Sequence, residues 1–445
     1  MSEMAKQMTT AETKEYRKLM KLHRSAKMCI WTYPMLRALD NKEKGWKWYT
    51  LKDKICKAEV LSYAYLQVEE NYGSAGIDKV TIEMYEKDLS ENLACLQKQL
   101  LENRYEPSPI KRVYIDKPGS KAKRPLGIPT VKQRIVENAI KMGIEPIFEN
   151  IFLPCNYGFR PNRGNKDALR EVSTKLKDGY KFVVDADIKS YFDNINHELL
   201  MSFIAEEVAD KWVLGMIKKF LKNRVVEGDK EWSSTVGSPQ GSVLSPLLSN
   251  IYLHRLDERL TREGYELVRY ADDFVIMCQT LEEAQRGLEI TREVMTKLKL
   301  MLHPEKTRII EVTEKEGFEF LGYLFLLNRR RPKDKALKSL RLKVKQITPR
   351  SGGQSLKTVI EDLNPVLRGW YGYFKHVRNS PSTFREMDGY IRRRLRSILA
   401  KFHKKCGSHR MMDNYKWIND YFHSQGLFSL QKNYENELAL ARGDH

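Results

Sequence analysis

Two short apolar stretches of this chain end on aspartates. One runs Val183-Val184-Asp185-Ala186-Asp187-Ile188; the other runs Leu267-Val268-Arg269-Tyr270-Ala271-Asp272-Asp273-Phe274-Val275-Ile276. Their β-branched composition predicts strands. Carboxylates gathered at strand ends repel by roughly 4 kcal/mol per pair at ~4 Å and an effective dielectric of ~20. Hard divalent cations remove that cost, and two Mg²⁺ about 4 Å apart activate an attacking oxygen and stabilise a departing one. This is the chemistry of nucleotidyl transfer, and it predicts a template-copying polymerase. A lone Asp at a strand end is usually a turn former. An Asp-Asp pair inside an apolar hairpin differs, because two unpaired charges there are costly without a cation. Asp187, Asp272 and Asp273 are therefore the candidate catalytic residues and metal ligands. Strand alternation sets Asp185 on the same face as Asp187 and makes it a competitor, with the strand end favouring Asp187.

Other residues gain meaning beside these. Phe192 lies five positions after Asp187, where a ring could pack under a sugar and exclude a 2′-hydroxyl; a core phenylalanine is the plain alternative. Gly237-Ser238-Pro239-Gln240-Gly241-Ser242 reads as a turn opening a helix. Glycine lets backbone approach a nucleotide, a helix N-terminus favours phosphate, and Gln240 could contact a nucleotide or template base. Lys117 and Arg124 flank a predicted hairpin over 112–128 and could clamp a triphosphate, or stand as solvated surface cations. Arg160 and Arg163 suit a template backbone, and Lys306 could neutralise or protonate a leaving pyrophosphate, though a lysine in a loop carries little by itself.

The elements that must position these groups follow from pattern and turn chemistry. Helices are expected over 51–71, from a Thr130 cap to about 148, over 196–223 with interruptions, from Leu247 to about 260 and over 281–299. Strands are expected at 112–115, 124–128, 181–187, 264–278 as a hairpin, 308–312 and 318–326. The turn Asn71–Asp78 precedes a helix that Asp78 can cap. Three basic helices follow at 333–347, 355–376 and 382–404, then an irregular aromatic tail.

With 78 basic and 58 acidic residues, the 445-residue chain carries a net charge of +20. The excess is uneven: Leu326 to Arg350 holds ten Lys/Arg and one acid, and Gly389 to Lys405 holds seven basic residues and no acid. Such stripes match a phosphate backbone and point to nucleic acid as partner. No apolar run is long enough to span a membrane, so no membrane partner is expected. The leader lacks a secretory pattern, and six scattered cysteines without a C-x-x-C pair suggest reduced thiols in a cytosolic protein.

As a set, Val183 to Asp193, Ser238-Pro239-Gln240-Gly241, Ser245 to Leu253, Tyr270-Ala271-Asp272-Asp273 and Phe320-Leu321-Gly322-Tyr323 resemble a reverse transcriptase. Arg124 to Thr130, Tyr157 to Pro161 and Leu367-Arg368-Gly369-Trp370-Tyr371 narrow the resemblance to the group II intron type with its maturase region. The leader (Met35 to Leu39, Trp48 to Leu51) is most similar to bacterial class C members. The resemblance implies an α+β right-hand polymerase. Residues 1–50 form a leader, 51–325 fingers and palm with an antiparallel sheet, 326–400 a helical thumb or maturase X domain, and 401–445 a DNA-binding tail. It assigns Asp187, Asp272 and Asp273 to two Mg²⁺ (Mn²⁺ able to substitute). Lys117, Arg124, Phe192, Gln240, Gly241 and Lys306 go to the nucleotide.

Ser74 and Gly76, in a loop that resembles the family's N-terminal extension, are assigned to template and primer together with Arg160, Arg163, Gly322 and Arg368. The implied partners are dNTP, an RNA template with a DNA primer, the group II intron RNA whose splicing it assists, and a DNA target. The implied location is a bacterial cytoplasm, on nucleoid or ribonucleoprotein. Cys406 stands alone where many relatives carry a cysteine-paired endonuclease, so self-nicking of the target is not expected. Competing readings are a domesticated reverse transcriptase in defence or repair, and a non-enzymatic RNA-binding splicing factor with a decayed core. Oligomeric state stays open.

Overall fold

The computed structural model describes residues 10–23, 25–41, 45–116, 123–233, 236–238, 241–349, 353–402 and 417–442. The chain divides into two units, residues 1–172 with 182–309, and residues 173–181 with 310–445. In chain order the strands are β1 (Ile110–Asp116), β2 (Lys123–Ile128), β3 (Phe182–Asp187), β4 (Arg224–Glu227), β5 (Lys230–Ser233), β6 (Glu266–Tyr270), β7 (Asp273–Cys278), β8 (Arg308–Glu311), β9 (Phe318–Phe320), β10 (Tyr323–Leu326) and β11 (Arg329–Pro332). They build sheets of order β2-β1-β4-β5, β6-β7-β3-β8 and β11-β10-β9. β1 and β4 run parallel; the hairpins β1–β2, β4–β5 and β6–β7 and the β3–β7 pair are antiparallel. With the many helices this is the expected α+β class. Among the described residues no helix is long and apolar enough to cross a membrane.

In the first unit β7 is central in its sheet, and Phe274 to Cys278 are buried without a break. Helices cover the sheet: Leu281–Lys297, capped by Thr280, packs on β3 and β7, while Ser245–Arg262 packs on β6. A continuous apolar run is what a strand buried on both faces requires. The helix Val131–Glu149, capped by the Thr130 hydroxyl as expected, is buried almost all round. The leader packs against it: Trp31 is fully buried and its indole N–H donates to the Met142 carbonyl at 3.1 Å, with Trp48 edge-on at 5.0 Å.

Several local expectations change. Asp78 does not cap a helix; it accepts from Val80 N at 3.2 Å, and Thr81 caps the helix Ile82–Glu86. Lys79 at φ +59° extends the turn beyond the reach of Asp78. The 196–223 stretch resolves into helices His197–Glu207 and Lys211–Leu221, the second capped by Asp210. The hairpin β4–β5 was hidden because β5 has no buried face to impose alternation.

In the second unit, 318–326 is a hairpin rather than one strand, turned at Leu321 (φ +47°) and Gly322 (φ +81°). β11 falls inside the Arg329–Arg331 run, where charge masked the strand pattern. The three helices are Asp334–Ile347, Leu356–Phe374 and Ser382–Phe402. The tail is not irregular: Asn419–Ser424 and Leu430–Arg442 are helices. A partner remote in sequence orders the second of these. The buried Asp388 carboxylate accepts from Leu430 N at 3.0 Å, Gln431 N at 3.1 Å and Ser429 Oγ at 2.7 Å.

Candidate active site

The register of β3 against β7 sets Asp187 opposite Asp273. Directly opposed residues of an antiparallel pair are about 5 Å apart. The register of β6 against β7 pairs Tyr270 with Asp273, leaving Ala271-Asp272 as a two-residue turn with Ala271 at φ +59°. The three aspartates thus come to one end of one sheet. Burial, then the charge of Asp187, pushes the Asp272 carboxyl above the usual carboxylate range; Arg124 and Arg269 pull the other way. Three mutually repelling carboxylates, one largely desolvated, are a donor set that fits a hard divalent cation. Among the described residues no trio of acidic, His or Cys side chains closes tightly enough to hold an ion as it stands. Instead Lys306 Nζ sits 2.8 Å from Asp187 Oδ2. An ammonium in that place marks where positive charge is wanted. Asp185, the competitor, is met by Arg308 Nε at 3.5 Å.

The Asp272 turn is held by residues that the sequence reading did not single out. Arg269 and Asp257 are fully buried and ion-paired, with Arg269 Nε 2.7 Å from Asp257 Oδ1. Although burial works against the guanidinium, Asp257 raises its pKa above the ordinary value. Arg269 Nη1 also donates to Asn250 Oδ1 and to the Ala271 carbonyl, both at 3.0 Å. Asn250 Nδ2 in turn donates to the Gly158 carbonyl at 2.8 Å. A Cβ on Gly158 would lie 2.2 Å from Ala271 N, so only glycine lets this backbone lie against the turn. The signal was available: an arginine inside the apolar run 267–276 demands a buried partner.

The loop after Gly237 is tied down at its base and its end. Ser238 N donates to the Phe192 carbonyl at 2.7 Å, His197 Nε2 lies 2.6 Å from the Gly237 carbonyl, and Ser238 Oγ meets Ser245 Oγ at 2.6 Å. Gly241 has φ +118°, and a Cβ there would lie 2.1 Å from the Gly127 carbonyl of β2. Gly241 is therefore pressed against the β1–β2 hairpin. Phe192, half-buried beside Tyr191, lines a small cleft with Pro125 and Gly127. A second cleft, of about 480 Å³, brings Ser74, Arg134, Gly127 and Gly241 together.

Other expected contacts are redirected. Arg160 is buried; it binds the Glu149 carboxylate at 3.0 Å and the carbonyls of Leu153 at 2.7 Å and Asn156 at 3.0 Å, so it fixes its own loop and is not offered to a template. Arg163 is half-exposed, donates to the Pro154 carbonyl at 2.8 Å and lies over the Tyr157 ring. Gly76 is buried, with a would-be Cβ 2.7 Å from Thr130 Cα, so it is a packing glycine and not a template contact. Ser74 is exposed, and its carbonyl accepts from Arg134. Lys117 and Gln240 lie outside the described residues.

In the second unit, Gly322 turns the β9–β10 hairpin beside Tyr373 and Phe374, and Arg368 is exposed over the Phe428 ring. The basic stripes are only partly free. Arg330 is half-buried, donates to the His376 carbonyl at 2.6 Å, and burial pushes its pKa down to about 10. Arg394 bonds Thr348 Oγ1 at 3.0 Å and Arg396 the Trp417 carbonyl at 2.9 Å. Lys335, Lys338, Arg341, Lys343 and Lys345 remain exposed on one helix.

Comparison with known proteins places the chain in a family. Residues 115–325 match the family described as reverse transcriptase (RNA-dependent DNA polymerase), and residues 337–417 match the group II intron maturase-specific domain. Protein YkfC of Escherichia coli is 34% identical over 295 residues, covering 58% of this chain and 77% of that protein. Group II intron-encoded protein LtrA of Lactococcus lactis subsp. cremoris is 30% identical over 341 residues, 60% of this chain and 55% of that protein. Nuclear intron maturase 2, mitochondrial, of Arabidopsis thaliana is 26% identical over 285 residues, 52% of this chain and 38% of that protein. The fold is that of a right-hand, template-copying polymerase. Within that class, the chain belongs to the reverse transcriptases of group II introns, which join a polymerase to a maturase domain. Enzymes of this kind use divalent metal ions and bind RNA and a nucleic-acid template–primer.

Proposed function

We propose that this protein is an RNA-directed DNA polymerase that extends a DNA primer on an RNA template, and that it also binds its parent intron RNA and assists its splicing and mobility. The observation that carries the reading is the register that sets Asp187 opposite Asp273, with Asp272 in the adjoining turn. Asp187, Asp272 and Asp273 hold the divalent ions, Mg²⁺ with Mn²⁺ able to substitute. When bound, two such ions activate the primer hydroxyl and neutralise the developing charge on the leaving group. Arg124, already within electrostatic reach of Asp272, orients the triphosphate, with Lys117 as a second cation. Lys306, 2.8 Å from Asp187, would meet the negative charge of the leaving pyrophosphate. Gly241, with its neighbour Gln240, is assigned to nucleotide binding. The exposed cations of the helix Asp334–Ile347, with Arg368, grip RNA. The place of work is the cytoplasm, on ribonucleoprotein and nucleoid.

The direct test is extension of oligo(dT) on poly(rA) with Mg²⁺; no incorporation by the intact protein would support a purely RNA-binding splicing factor instead. Phe192 lies beside the Ser238 loop and packs under the sugar. Phe192→Ala is therefore expected to relax discrimination against ribonucleotides by roughly 10-fold or more, read as the ratio of kcat/KM for dNTP and rNTP. An unchanged ratio returns Phe192 to a packing role. Affinity for RNA is expected to fall steeply with salt, with a log–log slope of about −0.7 to −0.9 for each phosphate neutralised. A flat response would show that the exposed lysines and arginines are not the contact surface.

A further inference from the structure

The helix Val131–Glu149 carries a carboxylate where a buried helix face should carry a hydrocarbon. Glu137 is 0% exposed, and it makes no ion pair within 4 Å among the described residues. Its Oε2 accepts from Ser242 Oγ and from Val243 N, both at 2.8 Å. Its Oε1 accepts from Gln133 Nε2 at 2.8 Å. Ser242 Oγ accepts in turn from Leu244 N at 3.3 Å, which leaves its proton for Glu137. On the other side Asn223 Nδ2 donates to the Ser108 carbonyl at 2.7 Å and to Gln133 Oε1 at 3.3 Å.

This chain of bonds has a forced direction. A backbone carbonyl at Ser108 can only accept, so Asn223 must turn its amide nitrogen to Ser108 and Gln133. Gln133 then turns its oxygen to Asn223 and its nitrogen to residue 137. The Val243 amide at the far end can only donate. Residue 137 therefore receives the Gln133 amide on one oxygen and the Val243 amide on the other, a demand that a carboxyl group meets and a carboxamide does not. Burial raises the carboxyl of Glu137 above the usual range, and the three donors and the charge of Arg134 oppose that shift.

The chain begins beside β1 and β4 and ends on the loop whose Gly241 is pressed against Gly127 of β2. We propose that Glu137 is a positioning residue for nucleotide binding: accepting on both of its oxygens, it ties Ser242 and Val243, next to Gly241, to the sheet of β1 and β4 and so holds the nucleotide pocket. This rests on the polymerase reading above and deepens it; Glu137 itself touches no reactant.

The test is steady-state primer extension with the full chain on poly(rA)/oligo(dT), separating KM for dTTP from kcat. Glu137→Gln places two amide nitrogens face to face and is expected to raise KM roughly 10- to 100-fold, the span that matches a buried donor left without an acceptor, with a smaller change in kcat. Gln133→Glu places two carboxylates face to face and is expected to do the same. The reciprocal double variant, Glu137→Gln with Gln133→Glu, restores every donor to an acceptor and is expected to return KM towards the starting value. Three outcomes overturn the proposal: KM unchanged in Glu137→Gln, a loss of thermal stability with KM unmoved, or a double variant as impaired as the singles. If the unsubstituted protein fails to extend the primer at all, the polymerase reading fails instead. The chain of bonds is then tested alone, by whether the double variant regains the thermal midpoint that each single variant lowers.

Discussion

Replacing Asp272 with Ala is expected to lower DNA synthesis on an RNA template by about 10³-fold or more while leaving RNA affinity unchanged. The size follows from the several kcal/mol of charge stabilisation that a bound divalent ion supplies and a polymerase without its ligand loses. The same substitution carries a second expectation of opposite sign. In the folded chain without metal, burial and Asp187 disfavour the charged form of Asp272. A carboxyl whose folded pKa is raised destabilises the fold at pH values above that pKa, so removing it should hold or raise the thermal midpoint at neutral pH. A filter-binding measurement with RNA and a melting curve accompany the extension assay. Synthesis lost together with RNA binding and stability would mean that Asp272 is a folding residue, and the metal assignment would fall.

Arg269→Met is expected to destabilise the first unit by about 3–5 kcal/mol, because it leaves Asp257 buried and uncompensated. Both side chains are completely excluded from solvent, and Arg269 also satisfies Asn250 and the Ala271 carbonyl at the catalytic turn. Adding Asp257→Leu to Arg269→Met should recover most of the stability, since a buried ion pair replaced by apolar groups is often neutral or better. Synthesis should not recover with it, because the Ala271-Asp272 turn has then lost the donor that fixes its carbonyl. Urea unfolding and primer extension on the same preparations separate the two effects. A double variant as active as the starting protein would show that the turn holds itself.

The candidate site was legible in sequence to the extent that its chemistry is local. An Asp-Asp pair between two apolar β-branched runs has few stable uses, and strand alternation from Val183 singled out Asp185 and Asp187 before any coordinates. The helix start at Thr130 and the hairpin over 264–278 were readable for the same reason, since caps and turns depend on neighbours a few residues away. Arg160 was misread because its type, exposed in the mind's eye as a phosphate ligand, says nothing of whether Glu149 and three carbonyls already surround it. Gly76 was misread because a glycine needed for close packing and one needed for a ligand have the same letter. The tail helix at Leu430 was missed because its cap is Asp388, forty-two positions earlier.

What this sequence determined by itself is the kind of chemistry: acidic groups at strand ends, cations in stripes, glycines in turns, each written in residue type and spacing. Only the tertiary structure decided which charges are answered within the protein and which stay open for a partner. That Lys306 faces Asp187, that Arg330 bonds the His376 carbonyl while Lys335 is exposed, and that Glu137 accepts on both oxygens all depend on neighbours brought together by folding. The physical reason is that charge is stabilised by what surrounds it within a few ångströms, and sequence spacing carries that information only for residues on the same strand, turn or helix.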